Sequence, residues 1–113
     1  MYSADLIIIG GGPAGMSAAL SAKENGIDDI LILERDSALG GILQQCIHDG
    51  FGLHKFNEKL TGPEYADRYE TQIIDKGIKC KFNMVVTEIT KNKVVSAIDE
   101  KEGLIQIKAK SII

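Results

Sequence analysis

The sequence predicts an α/β fold built on a parallel sheet, and three observations carry that prediction. Residues 6–9 form an unbroken apolar run that ends at a cluster of three glycines. A stretch with helical spacing follows, and then a second unbroken apolar run at residues 30–33. Runs without polar alternation suit strands covered on both faces, as in a parallel sheet. Strand, helix and strand within about 30 residues make one βαβ unit.

Each element can be justified in order. Pro13 fits the first turn of the first helix, and Gly26 closes it after Asn25. Gly15, Ala18, Ala19 and Ala22 form a stripe of small residues on that helix, which lets it press against a sheet. Residues 36–60 show no clean period; Gly40, Gly41, Gly50 and Gly52 punctuate a long loop, with one short helix expected near 42–46. The next helix is clearer. Thr61 and Glu64 match a capping box, Pro63 sits in the first turn and Gly77 marks the stop. Tyr65, Tyr69 and Ile73 recur at four-residue steps and give it a core side. Short β-rich runs at 78–82, 84–89, 94–98 and 104–107 follow, separated by polar turns such as KNK and DEKEG. They predict one further sheet strand and then an antiparallel meander. The chain stops inside a strand-like run, residues 111–113, which predicts a fragment cut within or just after a strand.

Composition narrows the function classes. With 113 residues and 44% hydrophobic content the chain has material for one core, and we expect one domain over residues 1–113, incomplete at its C-terminus. A net charge of -3 with interspersed signs provides no basic footprint for nucleic acid, and three Tyr and three Phe are too few for a stacking platform. No apolar run reaches the roughly 20 residues of a membrane span. The N-terminal MYSAD lacks the basic region of a secretory signal, so a cytoplasmic location is expected. Cys46 and Cys80 stand apart without metal-ligand spacing, so no metal site is expected.

The chemistry lies in the glycines. Gly10-x-Gly12-x-x-Gly15 follows a strand and opens a helix. Gly10 permits the tight turn, Gly12 leaves room for a pyrophosphate, and Gly15 allows close helix–strand packing. The helix N-terminus then presents free N–H groups and partial positive charge to an anion. Glu34 stands 19 residues past Gly15, at the end of the second strand. A carboxylate there accepts hydrogen bonds from the ribose hydroxyls of an adenosine. It also disfavours a 2′-phosphate on that ribose, although Arg35 beside it carries the opposite charge. These features predict a dinucleotide site, and they are shared by NAD and FAD.

The segments ADLIIIGGGPAGMSAAL and LILERDSALGG resemble the FAD domain of the two-dinucleotide-binding flavoprotein oxidoreductases, which include thioredoxin reductase and the disulfide reductases. The resemblance spans nearly the whole chain and implies a Rossmann-like FAD-binding domain. More narrowly, GGILQQCIHDGFGLHKF and LTGPEYADRYE are similar to the FAD/NAD(P)-dependent oxidoreductases that accompany anaerobic glycerol-3-phosphate dehydrogenases. By resemblance, Gly10, Gly12, Pro13, Ala14 and Gly15 line the FAD pyrophosphate, and Glu34 holds the adenosine ribose with Arg35 nearby. Gly40 and Gly41 approach the middle of the cofactor, and the backbone of Val86 meets adenine. The family's redox cysteines fall at positions that here hold Leu43 and His48, so disulfide exchange through this segment is not expected. Cys46 near His48 is more simply a buried hydrophobe than an activated thiol, and His54 and Cys80 are weaker candidates still.

The resulting expectation is the FAD-binding portion of an oxidoreductase passing hydride between NAD(P)H and flavin, inactive as this fragment. Its partner would be a small-molecule redox substrate or a redox protein, with a glycerol-3-phosphate dehydrogenase subunit implied by the narrower resemblance. Two other readings stand beside it. One is a single-Rossmann NAD dehydrogenase without its substrate domain, which would usually lack the meander. The other is a non-catalytic dinucleotide-binding module.

Overall fold

In the computed structural model the described residues are 1–45 and 60–113, and they build one curled sheet with two helices. The strands are β1 (Tyr2–Ile9), β2 (Ile30–Leu33), β3 (Lys79–Lys81), β4 (Met84–Ile89), β5 (Val94–Asp99) and β6 (Gly103–Ile112). Helix α1 (Pro13–Glu24) joins β1 to β2, and α2 (Gly62–Asp75) precedes β3. The sheet order is β3-β2-β1-β6-β5-β4. Pairing is parallel from β3 through β6 and antiparallel from β6 to β4.

The first apolar run is explained by two cores. Leu6 and Ile8 of β1 face α1 and α2, where they join Met16, Ala19, Ile32, Tyr69 and Ile73. Ile7 turns to the opposite face and packs with Leu31, Val95, Ala97 and Ile107. The sheet curls so that the meander β4-β5-β6 covers the face of the parallel strands that the helices leave open. A strand buried on both sides has no reason to alternate, and Ile7 and Ile32 are fully buried.

Both helix boundaries agree with the sequence reading. Asn25 follows α1 and Gly26 takes φ +93°, while Gly77 after α2 takes φ +71°. The capping box of α2 is complete: Thr61 Oγ1 accepts from the Glu64 amide, and Glu64 Oε1 accepts from the Thr61 amide at 3.0 Å. The short helix expected near 42–46 is a 3-10 turn, Gly41–Gln45, closed by Leu43 N–H to Gly40 C=O at 3.0 Å. The expected Cys46, His48 and His54 candidates lie outside the described residues.

One expectation is corrected. The run at 104–107 and residues 111–112 of the terminal run are not separate strands but parts of β6, whose first half pairs with β5 and whose second half pairs with β1. The KAK segment between them continues the period-two alternation: Ile107 and Ala109 are buried while Lys108 and Lys110 face out. No helix among the described residues is long and apolar enough to cross a membrane.

Candidate dinucleotide site

A cleft of about 400 Å³ opens where β1 and β2 end, at Ile9 and Leu33, and the start of β4 forms its far wall through Met84, Val85 and Val86. In open parallel sheets, ligands bind outside the carboxyl ends of the strands, where the connections diverge to the two sides. Here α1 leaves β1 toward one face, and β6 lies on the other side of β1.

The glycine loop forms the cleft's upper lip. Gly10 has φ +101°, a conformation that a side chain disfavours, and its N–H bonds Leu33 C=O at 2.9 Å. A β-carbon on Gly15 would lie 1.9 Å from Gly10 C=O, so α1 sits directly against the turn. A β-carbon on Gly12 would meet nothing within 4 Å, which leaves open space at the position assigned to the pyrophosphate. The start of α1 is uncapped: Gly12 supplies no side-chain acceptor, and no acidic residue stands in the first turn. At α2 a threonine and a glutamate fill that role. The N–H groups of Ala14 and Gly15 therefore have no side-chain cap, and an uncapped helix start of this kind is suited to receive an anion.

Glu34 is 5% exposed and lines the same cleft. Its backbone is held by hydrogen bonds to Lys81 C=O (2.8 Å) and from Met84 N–H (3.0 Å). Oε1 accepts from Gly11 N–H at 2.7 Å and Oε2 from Asp36 N–H at 2.6 Å. A carboxylate has about four acceptor positions, so each oxygen retains one for a ribose hydroxyl. Arg35 is exposed at the cleft edge.

The structure brings Gly10, Glu34, Arg35, Gly41 and Val86 to one cleft. Gly12 adjoins it, with its Cα 3.3 Å from a β-carbon built on Gly41. Pro13, Ala14 and Gly15 form the first turn of α1. Gly40 turns inward: its N–H bonds Gly11 C=O at 2.8 Å, and a β-carbon there would press on Gln44 and Ala66. Sequence reasoning passed over Gly11, an unspecified position of the glycine fingerprint. A β-carbon on it would lie 2.4 Å from Leu39 Cδ2 and 3.1 Å from Glu34 Oε1. The signal available was the third consecutive glycine, which the fingerprint alone does not require. Cys80 is half-buried in β3, and burial first, then Glu70, pushes its thiol up to about 11. That is the opposite of an activated thiol.

The glycine loop, the strand-end carboxylate and the meander together match the Rossmann-like fold of the FAD-binding domains found in reductases. Comparison with known proteins agrees. Residues 7–48 match the family described as pyridine nucleotide-disulphide oxidoreductase. Thioredoxin reductase of Ureaplasma parvum is 33% identical over 75 residues, covering 66% of this chain and 23% of that protein. Hydrogen cyanide synthase subunit HcnB of Pseudomonas protegens is 40% identical over 62 residues, covering 54% of this chain and 12% of the relative. The crystal structure of thioredoxin reductase from Streptococcus pyogenes superposes with a TM-score of 0.74 at 24% identity, over 97% of this chain and 34% of that one. The chain thus has a Rossmann-like fold similar to that of thioredoxin reductase, with a segment that matches the pyridine nucleotide-disulphide oxidoreductase family, and it spans less than a quarter of the length of these two curated relatives.

Proposed function

We propose that this chain is the FAD-binding portion of an FAD-dependent oxidoreductase linked to a pyridine nucleotide. The observation that carries the reading is the pairing of an uncapped α1 N-terminus with a buried strand-end carboxylate across one cleft. The residues fit the ADP half of FAD. Gly12, Ala14 and Gly15 offer backbone N–H groups and open space to the pyrophosphate. Glu34 offers its two remaining acceptor positions to the ribose hydroxyls. We assign adenine to the backbone of Val86, on the wall formed by β4. Gly41 lies against Gly12, where the second glycine loop approaches the phosphates.

FAD, when bound, supplies the hydride chemistry, exchanging with NAD(P)H in the full-length protein. The residues of this chain bind and orient it; no acid, base or nucleophile for the reaction is assigned here. Leu43, buried at one family cysteine position, supports a reading without a redox dithiol in this segment. We further propose a cytoplasmic location, and a small-molecule redox substrate or partner redox protein. The narrower sequence resemblance supports association with an anaerobic glycerol-3-phosphate dehydrogenase. The meander favours this reading over a single-Rossmann NAD dehydrogenase.

The test is a titration of the purified chain with FAD, followed by flavin fluorescence, with ADP and NAD as competitors. Saturable FAD binding displaced by ADP is expected. Tighter binding of NAD than of FAD would overturn the reading.

A further inference from the structure

Glu34 does two things at once in this geometry, and only one of them faces the ligand. We propose that Glu34 is a positioning residue for the phosphate-binding loop, acting through the Gly11 amide, so that ribose recognition and phosphate recognition are coupled. This rests on the FAD-site reading and deepens it.

The carboxylate is a two-armed staple. One arm holds Gly11 N–H at 2.7 Å and the other holds Asp36 N–H at 2.6 Å. Its backbone is fixed on both sides, by Lys81 at the end of β3 and Met84 at the start of β4. The residue it grips is the centre of the glycine loop. Gly11 is buried, and its carbonyl in turn accepts Gly40 N–H at 2.8 Å, so the second glycine loop hangs from the first. Leu39, 1% exposed, closes against Gly11 where any side chain would collide with it. Gly11 therefore receives a fixed position from Glu34 and passes it to Gly12 on one side and Gly40-Gly41 on the other. A glycine-rich turn has the largest conformational freedom to lose on ordering, so an internal acceptor that orders it before the ligand arrives lowers the cost of binding.

Glu34→Gln preserves size but replaces one acceptor oxygen with an NH2 group that faces an N–H, so one arm is lost. The experiment uses the full 113-residue chain, wild type and Glu34→Gln. Adenosine contains only the ribose and base; ADP adds the diphosphate. If Glu34 positions the loop, ADP loses about tenfold or more beyond the loss seen for adenosine, the equivalent of about 1.4 kcal/mol. In amide-resolved NMR of the ligand-free chain, Gly11, Gly12 and Gly40 shift together while β5 stays put. Equal losses for the two ligands, with wild-type binding intact and Gly12 and Gly40 unmoved, would overturn the coupling and leave the FAD site standing. A wild-type chain that binds neither ADP nor FAD overturns the underlying reading instead. Should the variant not fold, the wild type alone decides. Gly11 and Asp36 amides protected from hydrogen exchange without ligand support the staple, and exchange at open-loop rates refutes it.

Discussion

Among the described glycines the tightest is Gly15, which has no room for a methyl group. A β-carbon on Gly15 would stand 1.9 Å from a backbone oxygen, and backbone has no rotamer by which to yield. Gly15→Ala gains helix propensity of about 1 kcal/mol but forces α1 off the β1 turn. We expect a net loss of about 1–3 kcal/mol, read from urea denaturation, together with weaker ADP binding. Gly12→Ala meets open space in the free protein, so its stability should be unchanged while ADP binding falls. That contrast separates a packing glycine from a ligand glycine in a single pair of variants. Cys80 yields a third prediction. Burial raises its thiol to about 11, so the thiolate is scarce at neutral pH. Its reaction with a thiol-specific disulfide reagent, followed in a Cys46→Ser background, should be slow at pH 7 and rise steadily toward pH 11. Rapid modification at neutral pH would contradict the burial.

At the scale of elements, the two helices differ in how they begin, and the difference has consequences. Helix α2 satisfies its own N-terminus, and α1 leaves its own open. Thr61→Ala should cost about 1 kcal/mol of stability, as for other N-caps, measured by thermal or urea unfolding. Hydrogen bonding from Thr61, then the charge of Arg68, holds the Glu64 carboxyl below its ordinary value of 4.5. A lowered folded-state value means the cap contributes above the unfolded value and fades as pH falls through the folded one. The stability difference between wild type and Glu64→Gln should therefore shrink as pH drops below about 4.5. Most of this was readable beforehand, because capping is local: Thr61, Pro63 and Glu64 lie within one turn. The unpatterned stretch after β2 resisted, since its 3-10 turn depends on Gly40 and Gly41 adopting positive φ beneath α2.

Across the whole molecule, β6 joins the parallel sheet to the meander. Ile107 pairs with Tyr2 of β1 and with Val95 of β5, and it is completely buried. Ile107→Ala should cost about 2–5 kcal/mol and lower the single unfolding transition of sheet and meander together. Two separable transitions would show that the meander folds by itself. The candidate site has the same global character. The spacing of Gly10, Gly12, Gly15 and Glu34 was visible in the chain because a βαβ unit is contiguous and its geometry is set by short-range sterics. Gly11's link to Glu34 was not, because that hydrogen bond spans 23 residues and exists only once β1 and β2 are paired. The wall formed by Met84, Val85 and Val86 likewise reaches the cleft only through the turn from β3 to β4.

By itself, then, the sequence determined the α/β class, the helix limits, the capping box and a glycine loop with a distant acid. All of these follow from periodicity, propensity and backbone conformation within a few turns of chain. Tertiary structure alone decided that β6 is one strand pairing with both β1 and β5, that Gly40 packs inward, and that Glu34, expected to hold a ribose, also grips the glycine loop. Those outcomes depend on which surfaces meet when the sheet curls. Burial and hydrogen-bond partners between distant segments are properties of that closure, and no local pattern encodes them.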